Sequence, residues 1–173
     1  MAESKKDMLV MWLRDAYSME KQAIDMLQSH AGRLENYPEL KARTEQHLGQ
    51  TRVQADRVQD CLSRLGADTS TIKELTARFT AGVQAVMGTT AGDEVVKNAM
   101  GDYTFEHFEI SSYRCLIATA EEVGEPEIAR ILGQNLREEE EQAAWLADHL
   151  PQVTRQYLQK LEAAGGDTSS AKR

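Results

Sequence analysis

The chain has 173 residues, a formal net charge of −8 and no block of Lys or Arg. That is enough for one domain with its own core, and it gives no electrostatic footprint for nucleic acid or an anionic membrane surface, so neither is an expected partner. The early apolar run Met8 to Leu13 is cut by Arg14 and is too short for a signal-peptide core or a membrane span, which predicts a cytoplasmic protein.

Only three prolines occur, and nowhere does a sustained period-2 alternation of β-branched residues develop, which predicts an all-α fold. Helix one is expected from about Lys5 to Ala31, stopping near Gly32. Pro38 is placed to open helix two, which carries the stripe Leu40, Thr44, His47, Thr51, Ala55, Val58, Leu62 and Leu65 and ends at Gly66. Asp68 to Ser70 cap a shorter predicted helix through Val86, and Gly88 to Gly92 break it, which reads as a crossover. Helix three follows from about Asp93 to Val123, Gly124 to Pro126 turn the chain, and helix four runs to about His149 before Pro151. Residues Gln152 to Ala164 read as a short terminal helix, and Gly165 to Arg173 as a frayed tail after a domain spanning 1–164. Two long hairpins joined by one long connection describe a ferritin-like four-helix bundle.

Several polar residues sit where these helices want apolar ones. Glu20 lies within the stripe Leu13, Ala16, Tyr17, Ala23, Ile24 and Leu27, and a buried carboxylate needs an ion pair, a shifted pKa or a cation. Glu20 and Gln50 are equidistant from the first turn, and Glu109 and Glu139 from the second, each about 15 residues or roughly 22 Å away, so all four can meet in mid-bundle. His47, Glu106 and Gln142 belong to an adjoining layer.

Carboxylates with histidine on facing helices are how bundles hold pairs of iron or manganese ions, normally with two Glu-x-x-His motifs. This chain has no Glu-x-x-His: its histidines are preceded at i−3 by Leu27, Thr44, Thr104 and Leu146, and the nearest substitutes are His47-x-x-Gln50 and Glu139-x-x-Gln142. Other assignments compete. Glu106 and Glu109 can be satisfied by tyrosines such as Tyr103 and Tyr113 or by basic residues, and at least two of Glu138 to Glu141 are ordinary solvated charges. His30 and His149 read as structural residues near helix C-termini, Trp12, Trp145 and the methionines of helix one as core or subunit-interface packing, and Cys61 and Cys115 as reduced core residues.

The motifs Trp12-Leu-Arg-Asp-Ala-Tyr-Ser-Met-Glu-Lys-Gln-Ala23, Asn36-Tyr-Pro-Glu-Leu40, Glu45-Gln-His-Leu48, Asp93-Glu-Val-Val-Lys97, Phe105-Glu-His-Phe-Glu-Ile110, Leu136-Arg-Glu-Glu139 and Trp145-Leu146 resemble the bacterial YciE/YciF family over nearly the whole chain, on the YciE side. The resemblance implies a ferritin-like bundle, usually a homodimer, associated with stress responses and described as metal-binding without a settled activity. It also implies candidate metal residues Glu20, His47, Glu106, Glu109 and Glu139, with Glu138 a weaker companion. Relatives tend to read His-Leu-x-Glu-Thr where this chain has His47-Leu-Gly-Gln-Thr51. Gln50 offers a carbonyl oxygen but cannot bridge two cations, so affinity for a second metal is expected to fall. Two readings follow: a stress-response bundle holding iron or manganese between its helices, with Tyr113 or Tyr103 donating hydrogen bonds to its ligands, or a metal-free structural or partner-binding bundle whose polar layer closes as internal salt bridges.

Overall fold

The computed structural model describes residues 3–68 and 92–171, all of whose regular structure is helical. Helix α1 (Lys5–Ala31) starts at a reciprocal cap in which the Ser4 hydroxyl accepts from the Asp7 amide and the Asp7 carboxylate accepts from the Ser4 amide. Pro38 opens α2 (Pro38–Arg64), where its missing N–H is no loss. Helix α3 (Glu94–Val123) ends at Gly124, whose φ of 83° lets the Glu125 amide reach back to the Ala120 carbonyl. Pro126 then begins α4 (Pro126–Ala163), and a single turn, α5 (Thr168–Ala171), closes the described chain.

Pairings between helices set their directions. Lys5 meets Glu122, Glu20 meets Tyr113 and His30 meets Asp102, so α1 and α3 are antiparallel. Arg57 meets Asn135 and Arg43 meets Gln142, so α2 and α4 are antiparallel as well. With two short turns inside the hairpins, α2 and α3 run the same way on a diagonal, and the end of α2 lies at the opposite end of the bundle from the start of α3. This is the ferritin-like arrangement. The helix expected between Asp68 and Val86 and the glycine break after it fall outside the described residues.

Two features differ from the expectations. Helix α4 does not stop before Pro151 but continues through it, so the terminal helix read at Gln152–Ala164 is its last turns. Proline there forfeits a backbone hydrogen bond. The compensation is burial: Val153 and Tyr157 pack with Leu34, Tyr37, Leu40 and Val95 at the closed end of the first hairpin. The Gly/Ser-rich tail likewise docks through residue 171. Ala171 is fully buried, its carbonyl accepts from the Tyr37 hydroxyl at 2.7 Å, and Thr168 lies so close to Gly92 that a Cβ there would come within 2.4 Å.

The core is in two apolar clusters. One holds Leu9, Leu13, Met19, Val58, Leu62, Leu116, Ile128 and Leu132, and the other is the Leu34–Tyr157 cluster at the opposite end. Between them, in mid-bundle, all four helices contribute buried polar residues, among them Glu20, His47, Glu109 and Glu139.

A candidate metal centre in mid-bundle

Four side chains from three helices converge here. His47 of α2, Glu106 and Glu109 of α3 and Glu139 of α4 each offer a ligand atom within 4.8 Å of the others, and all four are buried. His47 Nε2 lies 3.2 Å from Glu106 Oε1 and 3.4 Å from Glu139 Oε2. On the other side of the ring, Nδ1 is 3.4 Å from Gln50 Oε1. An amide oxygen can only accept, so in the neutral imidazole Nδ1 carries the proton and the Nε2 lone pair faces the carboxylates.

That arrangement brings several buried acceptor atoms face to face. His47 Nε2, Glu106 Oε2, Glu109 Oε1 and both oxygens of Glu139 are buried without a hydrogen-bond partner among the described residues. Acceptors facing acceptors in a low-dielectric core are costly unless protons or a cation are shared among them. The electrostatics agree. Burial, together with the mutual repulsion of the carboxylates, pushes Glu109 and Glu139 well above the usual carboxylate range, and burial carries Glu106 up to about 8. Three oxygen donors and one imidazole nitrogen are a donor set suited to a hard or borderline divalent cation such as Fe(II) or Mn(II), so the residues present fit such an ion.

The other expected residues occupy different places. Glu20 is fully buried beside the group, close enough to feel Glu139 and His47, but its Oε1 accepts a hydrogen bond from the Tyr113 hydroxyl. Burial and the adjacent Glu20 carboxylate push the Tyr113 phenol up and keep it a donor. Tyr103 makes no such bond and packs edge-on against His107, with centroids 4.6 Å apart. Gln50 Oε1 meets the Nδ1 side of the His47 ring, and Gln142 accepts from Arg43 Nε at 2.6 Å. Glu138, one residue from Glu139, turns to Arg57 and Gln54.

Further corrections concern residues outside the group. His30 is buried and paired with Asp102 at 2.8 Å, a partner its helix-end position did not suggest. His149 is not at a helix end: α4 runs on past it, and its ring stacks on Trp145 at 3.8 Å. Cys61 is a buried free thiol as expected, whereas Cys115 is exposed rather than in the core. It lies with Trp12 and Phe108, 37% and 42% exposed, along an apolar groove between α1 and α3.

Sequence reasoning missed Asn135 and Gln54. Both are completely buried amides beside the site. A signal existed, since Asn135 sits one helical turn before Glu139 and Gln54 one turn after Gln50, on the faces that carry the site.

Comparisons with known proteins agree with this architecture. A protein of Xanthomonas campestris of solved structure is 39% identical, with the match covering 91% of this chain and 98% of that one at a TM-score of 0.79. The E. coli stress protein YciF is 25% identical over 86% of this chain and 96% of its own, with a TM-score of 0.70. Bacterioferritin of Desulfovibrio desulfuricans, whose structure is described by its diiron site, is 20% identical over 99% of this chain and 96% of its own at a TM-score of 0.73, a likeness of fold. Residues 4–159 match the family described as "Domain of unknown function (DUF892)". With nine-tenths of its length inside that match and YciF among its structural relatives, the chain belongs to the DUF892 family and is YciE/YciF-like.

Proposed function

We propose that this chain is a ferritin-like stress protein that holds one divalent cation, Fe(II) or Mn(II), in mid-bundle through His47, Glu106, Glu109 and Glu139. The observation that carries the reading is the set of buried ligand atoms without hydrogen-bond partners, converging from three helices. One cation offsets the repulsion among three carboxylates and accepts the His47 lone pair. Gln50 argues against a second full site, because it sets a neutral amide beside His47 where a bridging carboxylate would be needed.

A bound Fe(II) or Mn(II) would supply one-electron chemistry. The chain's own residues bind it, orient it and exclude bulk water, with Leu132 and Leu146 closing the core on either side along α4. The alternative, a metal-free structural or partner-binding bundle, requires the polar layer to close on itself; the unpartnered oxygens of Glu109 and Glu139 favour the cation. A homodimer and a relation nearest to YciE are further parts of this proposal, suggested by the family resemblance, and a cytoplasmic location is another, suggested by the short apolar run before Arg14. No helix of the described residues is long and apolar enough to cross a membrane.

Elemental analysis of the purified protein, followed by anaerobic Fe(II) and Mn(II) titration with melting temperature as the readout, tests this. One metal per chain with a raised melting temperature, lost in Glu109→Gln and Glu139→Gln, is expected. No uptake, or equal uptake by the variants, would refute it.

A further inference from the structure

The side chains around Glu20 form a chain of hydrogen bonds with a fixed polarity. Arg57, a quarter exposed on α2, donates from Nη1 to Asn135 Oδ1 at 2.9 Å and to Glu138 Oε2 at 2.8 Å. Asn135 of α4 donates from Nδ2 to the Tyr113 hydroxyl at 2.9 Å, and Tyr113 of α3 donates to Glu20 Oε1 of α1. A guanidinium has only donors, so it pins the Asn135 carbonyl toward itself and forces the amide N–H₂ toward Tyr113. The phenol oxygen then accepts from Asn135, and its single proton is left for Glu20. Each link therefore sets the direction of the next, from a quarter-exposed cation to a buried carboxylate, and all four helices contribute one member.

The outcome is a carboxylate with two unlike oxygens. Oε1 is engaged by Tyr113, and Oε2 is buried without a partner. The geometry points to Arg57 and Asn135 as positioning residues for the metal centre: acting through Tyr113, they hold Glu20 so that Oε2 is left free to serve the cation held by His47 and Glu139. This rests on the cation site proposed above. Arg57 also ties Glu138, the neighbour of Glu139, into the same chain, so one guanidinium steadies the surroundings of the site from two sides. Supporting residues of this kind typically change metal affinity by about 10-fold to 100-fold when removed.

The test is Mn(II) affinity of the full chain, read from the free-ion signal in electron paramagnetic resonance. Asn135→Asp keeps the shape but, held ionised by Arg57, offers Tyr113 only acceptors, so the phenol proton turns to residue 135 and Glu20 is released. Affinity should fall about tenfold, Tyr113→Phe should match it, and the double variant should fall no further. Arg57→Met should weaken binding in the same way, with Arg57→Lys restoring it; at a quarter-exposed position this pair serves if Asn135→Asp fails to fold. Parental affinity in Asn135→Asp, or losses that multiply in the double variant, would overturn the positioning role while leaving the cation site intact. Absence of Mn(II) binding by the parent would instead bring down the site and the positioning role with it.

Discussion

Glu106 gives the cluster a measurable pH signature. Burial, reinforced by Asp102 and Glu20, raises its carboxyl from an ordinary 4.5 to about 8. Between those two values the unfolded chain has released the proton and the folded chain retains it, so folding stability is full below about pH 4.5 and is lost as the pH rises through 8. Each pH unit in that window removes about 1.4 kcal/mol, so on the order of 3 kcal/mol disappears between pH 5 and pH 7. Glu106→Gln has no proton to lose at this site. Urea unfolding in EDTA across pH 5 to 8.5 should therefore show the parent losing about 3 kcal/mol by pH 7 relative to the variant. Mn(II) must displace the retained protons, so its affinity for the parent should rise over the same interval. Equal pH slopes for parent and variant, or a parent that gains stability relative to Glu106→Gln as pH rises, would refute the reasoning.

Two further substitutions probe the surroundings. Gly49 lies inside α2 at an exposed position where a Cβ meets nothing within 4 Å, so Gly49→Ala should stabilise the protein by about 1 kcal/mol in urea unfolding and leave Mn(II) uptake unchanged. Gln50→Glu puts a carboxylate beside His47; it should raise metal stoichiometry by elemental analysis from one toward two per chain, and an unchanged value of one would show that Gln50 is not what limits the site.

The long helices were legible because their periodicity and punctuation agree. Ser4, Pro38, Gly124 and Pro126 act on the backbone of their own neighbours, so their effects can be read locally. Pro151 was misleading for the same reason. Its local cost is outweighed by the burial of Val153 and Tyr157 against residues more than a hundred positions away, which no local signal reports. Ala171 is a similar case, a small residue in a polar tail that finds its place against Tyr37.

Within the site, Glu109 and Glu139 were visible as polar residues on apolar faces equidistant from their turn, and His47 and Glu106 as members of the adjoining layer. What the pattern could not give was the partner of each. A carboxylate at position 20 is equally compatible with facing a cation or a phenol, and the choice of Tyr113 depends on the depth and rotation of α1 against α3. Asn135 and Gln54 were overlooked because a neutral amide on a core face looks like a small flaw in amphipathicity, and its importance lies in contacts with Tyr113, Arg57 and Glu138 across the bundle.

Anomalous diffraction at the manganese edge from crystals of the protein grown with Mn(II) tests the central claim most directly. The account predicts one strong peak per chain, enclosed by His47 Nε2 and carboxylate oxygens of Glu106, Glu109 and Glu139. A peak elsewhere, or none at millimolar Mn(II) with the four side chains ordered, would contradict it and leave the polar layer as architecture.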